Sequence, residues 1–208
     1  YQPIEWVLKN LNKFDQYSRK GPDVFIGELG IDGSYPNNIL GEGIFKLQLE
    51  RNADLNPILA DRPLMRNWDF IQPLNTSSLL LHNTSSSVKT FNYYLCKLFR
   101  DNKIDKWFPS SHSIPDVYMS SGLDSQTGDY VVKIINLSNT EKDINIRIPT
   151  LKNGYIKIYT LTSDESRVTP DNLKTLLEET PKAYTQLPYK TKIAAHSLTV
   201  FRINKKNK

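Results

Sequence analysis

The sequence predicts an α/β segment followed by an all-β segment. Three observations carry that prediction. In the first half, apolar residues recur at helical spacing and alternate with short, continuously apolar runs. From Val117 onward the apolar period drops to two, and Asp, Asn, Gly and Ser divide the runs. The change falls at Trp107-Phe108-Pro109-Ser110-Ser111, which sets one domain at residues 1–108 and a second at 109–208.

Ile4, Val7, Leu8, Leu11 and Phe14 share one side of residues 3–18, an amphipathic helix that Pro3 opens and Gly21-Pro22 ends. Asp23 to Gly27 is a short apolar run of the kind that forms a strand buried on both faces of a parallel sheet, and Glu28 follows it directly. Residues 29–38 are rich in turn formers. Ile39, Leu40, Ile44 and Leu47 then mark a second amphipathic helix ending near Asn52. Leu55 to Met65 is a second candidate strand, confined to its middle by Pro57 and Pro63. Ser78 to Leu81 extends this region, and Thr90 to Phe99 reads as a third helix. Beyond the boundary, Val117–Met119, Tyr130–Ile135, Ile144–Ile148, Tyr155–Tyr159 and Leu198–Ile203 read as antiparallel strands of a β-sandwich. No internal repeat, heptad or low-complexity tract interrupts the pattern.

With 208 residues and 24.0 kDa, the chain is too short for a complete (β/α)8 barrel plus a second domain. Its 38% hydrophobic content supports a packed core and excludes a wholly disordered chain. The net charge of +5 is spread along the chain apart from Lys205, Lys206 and Lys208, which read as a solvated end rather than a phosphate-binding arm, so nucleic-acid binding is not expected. No apolar stretch approaches the roughly 18 residues of a membrane span, and a soluble protein is expected. The opening Tyr1-Gln2-Pro3 lacks an initiator Met and reads as a cut. Cys96 is the single cysteine, so no internal disulfide forms. It falls in an apolar helical pattern that suits a buried, inert thiol, and the redox compartment stays open.

Glu28 is the first functional candidate, because a carboxylate at the C-terminal end of a parallel strand lies where barrel enzymes build their active sites. A helix-capping or loop role is the plainer reading of the same residue. His82, His112 and His196 share no helix-face spacing and the cysteine has no companion, so no metal site is expected. The sequence has neither a GxSxG motif nor a phosphate-binding Gly loop. A glycosidase carboxylate is the best enzyme idea left. Sequons stand at Asn75, Asn83 and Asn136, though 18 Asn and 31 Ser plus Thr in this length yield about three by chance.

Longer stretches carry a resemblance. Phe14 to Glu28, Leu40-Gly41-Glu42-Gly43-Ile44-Phe45, Leu49 to Asp54, Thr90 to Tyr94, Leu161 to Asp164, Pro170 to Leu173 and Ala195 to Phe201 keep the order seen in one family. The chain resembles the C-terminal half of the eukaryotic-type α-L-arabinofuranosidases of glycoside hydrolase family fifty-one. The resemblance implies the C-terminal part of a (β/α)8 barrel followed by a β-sandwich. It also implies retaining, exo-acting release of terminal arabinofuranose, with Glu28 as nucleophile and no cofactor. The family's acid/base Glu belongs to the fourth barrel strand, upstream of Tyr1. An N-terminal portion of the same enzyme, as a separate chain or a missing segment, is therefore the expected partner, with a polysaccharide or oligosaccharide as substrate. The family's usual location implies an extracellular or vacuolar, lysosome-like protein, glycosylated at Asn75 or Asn136 before Asn83.

Two departures bear on the substrate. Where the family usually has Glu-Tyr-Ala, this chain has Glu28-Leu29-Gly30, and where it has Ser-Tyr-Ala-Pro-Leu, this chain has Ala60-Asp61-Arg62-Pro63-Leu64. The Asp61-Arg62 pair either remodels sugar binding or forms a structural ion pair. A segment from Asp69 to Ser78 is inserted relative to the family pattern. A non-catalytic carbohydrate-binding or structural relative is the competing class.

Overall fold

The computed structural model describes residues 2–32, 35–55, 57–61, 63–70, 78–163 and 175–205. The chain begins with β1 (Gln2–Pro3) and α1 (Ile4–Lys9). The helix ends earlier than the apolar spacing predicts. Asn10 turns its own N–H and side-chain amide back onto the Trp6 carbonyl, and the apolar residue Phe14 is carried on by a 3-10 turn at Lys13–Gln16.

Next come β2 (Phe25–Leu29) and β3 (Ile31–Asp32), the long helix α2 (Asn37–Arg51) and β4 (Ile58–Asp61). β1 pairs with β3 and β2 with β4, both in parallel. The expectation that β2 is buried on both faces is not met, because Phe25 is 71% exposed and its cross-strand partner Ile58 is 58% exposed. Among the described residues, β4 is the one strand paired with β2. β5 (Met65–Asn67), β6 (Leu80–His82) and β7 (Ser87–Lys89) form a small mixed sheet before α3 (Phe91–Asp101). Thr90 caps α3, its hydroxyl oxygen accepting from the Tyr93 N–H at 3.3 Å.

The rest of the chain is sheet. β8 (Lys106–Trp107), β9 (Val117–Asp124), β10 (Asp129–Asn136), β11 (Lys142–Ile146), β12 (Asn153–Ser163), β13 (Thr175–Glu179), β14 (Ala183–Gln186), β15 (Tyr189–Ile193) and β16 (Ser197–Asn204) follow in order. Seven of them make one antiparallel sheet in the order β13-β12-β16-β10-β9-β8, with β14 also on β12, while β11 and β15 pair separately. β8 lies before residue 109 but already belongs to this sheet.

Strict alternation along β10 and β16 divides the core. Val132, Ile134, Phe201 and Ile203 face β11 and β15, where they meet Ile144, Ile146 and Ile193. Val131, Ile135, Leu198 and Val200 face the other way and share one core with α2 and α3. Lys133 has the same parity as Val131 and Ile135, and so reaches Glu50 of α2. Arg202 has the parity of Leu198 and Val200, and binds Asp124 at 2.6 Å, Thr127 at 2.7 Å and Asp129 at 2.9 Å.

Close approach of backbones at β8 requires a glycine. A Cβ on Gly122 would lie 2.3 Å from the Lys106 carbonyl oxygen and 2.4 Å from Ile104 Cγ2. Gly122→Ala should therefore lower the unfolding free energy by about 1–3 kcal/mol, the usual cost of overpacking. Urea unfolding of the full-length polypeptide measures this, and an unchanged midpoint would contradict the packing described.

Candidate active site

Glu28 lies within β2 rather than after it, because the strand continues to Leu29. The ladder with β4 runs Phe25 to Ile58 and Ile26 to Leu59, then resumes with Leu29 to Asp61. Gly27 and Glu28 thus stand opposite Ala60 alone, a β-bulge. Such a bulge locally breaks the alternation and re-aims the side chain it carries. Leu29 turns inward and is buried, whereas Glu28 is exposed on the rim of an apolar cleft of about 510 Å³. Trp6, Phe14, Tyr17, Phe25 and Phe45 also line that cleft. A second cavity, of about 590 Å³, lies between the two sheets and is lined mainly by apolar residues such as Met119, Ile144 and Ile146.

Behind β2 and β4, on the helix side, is a polar cluster that the sequence reading did not single out. Lys46 of α2 forms an ion pair with Asp61, the last residue of β4. One turn earlier, Glu42 is 1% exposed, and its Oε2 accepts from Asn92 Nδ2 of α3 at 3.0 Å. The backbone N–H of Ile31 faces this carboxyl, whose Oε1 is buried without a hydrogen-bond partner. Burial, with Asp61 adding repulsion, outweighs the attraction of Lys46 and the hydrogen bonds and pushes the Glu42 carboxyl up to about 8. Cys96 of α3 completes the group, its sulfur 3.5 Å from both Asp61 Oδ2 and Asn92 Oδ1. Burial first, and Asp61 with it, pushes that thiol up to about 12, which fits the inert role expected of it.

The sequence held one signal for this cluster. Glu42 and Lys46 are four apart in a helix whose other central residues are mostly apolar or glycine, a spacing that puts both on one face. The ion-pair reading of Asp61 finds Lys46 as the partner, while Arg62 lies outside the described residues.

No group of three or more His, Cys, Asp or Glu suited to a metal occurs among the described residues. No helix is long and apolar enough to cross a membrane. The expected glycosylation order needs correction. Asn136 is 0% exposed, its Nδ2 donating to the Thr140 and Ala194 carbonyls at 2.8 Å and its Oδ1 accepting from Ser138. A residue bonded on both sides inside the fold is no acceptor for a glycan. Asn83 is half-buried at the turn between β6 and β7, and Asn75 lies outside the described residues.

An extracellular exo-α-L-arabinofuranosidase of Streptomyces chartreusis is 37% identical over 118 residues, which is 56% of this chain and 14% of that protein. α-L-Arabinofuranosidase A of Aspergillus niger is 27% identical over 167 residues, 76% of this chain and 26% of the relative. The fold of an arabinose-bound family 51 α-L-arabinofuranosidase matches 99% of this chain with a TM-score of 0.81 at 21% identity. The chain resembles the family 51 α-L-arabinofuranosidases. The arabinose complex of the Thermotoga maritima enzyme matches with a TM-score of 0.71 at 13% identity, over 95% of this chain and 47% of that one. The chain spans about a quarter of the length of its Aspergillus relatives and 36% of the arabinose-bound structure. No protein-family model matches it.

The raised Glu42 carboxyl has a consequence for stability with a definite sign. Unfolding releases this group to its ordinary value of 4.5, so between pH 4.5 and about 8 the unfolded state holds fewer protons than the folded one. Stability from this group is full below 4.5 and is lost as pH rises toward 8. Glu42→Gln removes that loss, so its stabilisation relative to wild type should grow from nearly nothing at pH 4.5 to about 4 kcal/mol at pH 8. Denaturant midpoints of both proteins across this range provide the measurement, and a pH-independent difference would contradict it.

Proposed function

We propose that this chain is the nucleophile half of a retaining α-L-arabinofuranosidase, acting on terminal arabinofuranosyl residues. The observation that carries the reading is Glu28, aimed by the bulge at the C-terminal end of a parallel strand, within a fold similar to that of an arabinose-bound enzyme. One Glu28 oxygen attacks the anomeric carbon as the bond to the leaving oxygen breaks, and a second carboxyl protonates that oxygen. Water then attacks the resulting glycosyl ester, the second carboxyl takes its proton, and Glu28 leaves as carboxylate. Retention requires the two carboxyls about 5–5.5 Å apart.

The second carboxyl belongs to an N-terminal portion of the same enzyme, which completes a (β/α)8 barrel whose last strands are β2 and β4. Residues 109–208 follow as a β-sandwich. Supporting this is the exposed apolar pair Phe25 and Ile58, with the apolar cleft beside it. These surfaces suit further strands and helices rather than water. Export of the protein is part of the same reading, supported by the extracellular Streptomyces relative.

Glu28→Gln in the complete enzyme should reduce kcat by about 10³-fold or more while leaving the unfolding midpoint close to wild type, since Glu28 is exposed. A slow fluorinated arabinofuranoside should leave a mass adduct on the Glu28 peptide. Activity retained by Glu28→Gln, or an adduct on another residue, would refute the assignment. For export, the intact mass of natively produced protein should show glycan at Asn83 or Asn75 and none at Asn136. Glycan on Asn136, or none at any sequon, counts against it.

A further inference from the structure

We propose that Glu42 and Lys46 are positioning residues for Glu28, gripping the C-terminal ends of the strands that flank the bulge from the helix side of the sheet. This inference rests on the reading of Glu28 as the nucleophile. The bulge spans Gly27 and Glu28, so the direction of the carboxylate depends on where the chain is fixed on either side of it. On the N-terminal side, Phe25 and Ile26 are fixed by their ladder with β4.

On the C-terminal side three contacts act on four residues. Leu29 is registered against Asp61, whose carboxylate Lys46 holds. The Gly30 carbonyl accepts from the Gln2 N–H at 3.1 Å. The Ile31 N–H faces the Glu42 carboxyl, and the Ile31 side chain lies against Gly41 of the same helix. Because α2 is buried between the sheets and α3, Glu42 and Lys46 project from a rigid element, as a positioning shell requires.

The two grips are coupled through Lys46, which faces both acids. The groups around Glu42 are Lys46 on its own helix, Asp61 on β4, Asn92 and Cys96 on α3, and the Ile31 N–H. While Glu42 is protonated, Lys46 belongs to Asp61 alone. Once Glu42 ionises, the same ammonium is shared between two carboxylates, and the hold on the end of β4 loosens. Neither residue touches substrate in this scheme, so kcat should respond and KM should not.

The test uses Glu42→Gln and Glu42→Leu in the complete enzyme, beside Glu28→Gln. Glu42→Gln keeps an acceptor for Asn92, and its kcat at pH 6 should stay within about twofold of wild type. Glu42→Leu should lose about tenfold or more in kcat with KM changed less than about threefold, in protein whose near-ultraviolet circular dichroism matches wild type. The wild-type kcat profile should carry a component near pH 8 besides the alkaline limb set by the proton-donating second carboxyl, and Glu42→Gln should keep only the latter. A folded Glu42→Leu with wild-type kcat, or a Glu42→Gln profile superimposable on wild type, would overturn the inference. Should Glu42→Leu fail to fold, the Glu42→Gln profile decides alone. An inactive Glu28→Gln with unmoved Glu42 variants sinks only the positioning role, whereas an active Glu28→Gln sinks the nucleophile and this inference together.

Discussion

Helix α2 is the constraint on which the rest of the structure depends, because it is buried from Asn38 to Leu49 on every face. A helix buried all round has no solvated side for its charges, so each must find a partner in the protein. Glu42 meets α3 through Asn92, Lys46 meets β4 through Asp61, and Glu50 meets the large sheet through Lys133 and Ser120. At its two ends, Arg51 pairs with Asp15 of the 3-10 turn at 2.9 Å, and Asn37 bonds His196 before β16 at 2.8 Å. One helix therefore joins the strands that carry Glu28 to the sheet formed by the second half of the chain.

These buried pairs contribute geometry more than net stability. Lys133 has no exposed surface, so burial pulls its pKa down while Glu50 holds it up. Its ammonium also lies 4.7 Å from the Phe99 ring centroid, which gives the desolvated cation a second favourable contact. Removing either partner of such a pair strands the other charge, at a cost of about 3–5 kcal/mol, so the pair enforces a single register between helix and sheet. Glycines set the spacing at the same helix. A Cβ on Gly43 would come within 2.7 Å of Ile135 Cδ1 and 3.1 Å of Leu95, so α2 approaches β10 and α3 closely at this point.

Sequence patterning located the strands of the second half and misread how α2 and β2 are buried. The alternation of Val131, Lys133 and Ile135 against Val132 and Ile134 names β10 and its two faces, and the period along β16 does the same. For α2 the apolar residues at helical spacing located the helix correctly. They implied a solvated face that does not exist, because pairing of Glu42, Lys46 and Glu50 depends on residues 92, 61 and 133, which no local window contains. Apolar composition likewise marked β2 as a strand, but a local reading assumes neighbours on both sides, and among the described residues β2 pairs with β4 alone and leaves Phe25 exposed. Glu28 was legible by its place after an apolar run. The bulge that aims it was not, since it arises from the register against Ile58–Asp61 rather than from β2 itself.

That register also bears on why the candidate nucleophile and the exposed apolar surface share one strand. β2 is five residues long and is tied to the helix layer most firmly at its C-terminal end, where Leu29 is buried and Lys46 holds the facing Asp61. Its N-terminal end offers Phe25 to solvent beside Ile58. Among the described residues β2 pairs with β4 alone, and a strand paired along one edge holds a side chain only as firmly as its neighbours allow. Covering the Phe25–Ile58 face would remove apolar surface from water and complete the hydrogen bonding of β2 in the same step. Under the proposed reading, the energy of assembling the site and the energy of aiming its carboxylate would come from one interface, and the polar grip of α2 would fix the end that such an interface does not reach.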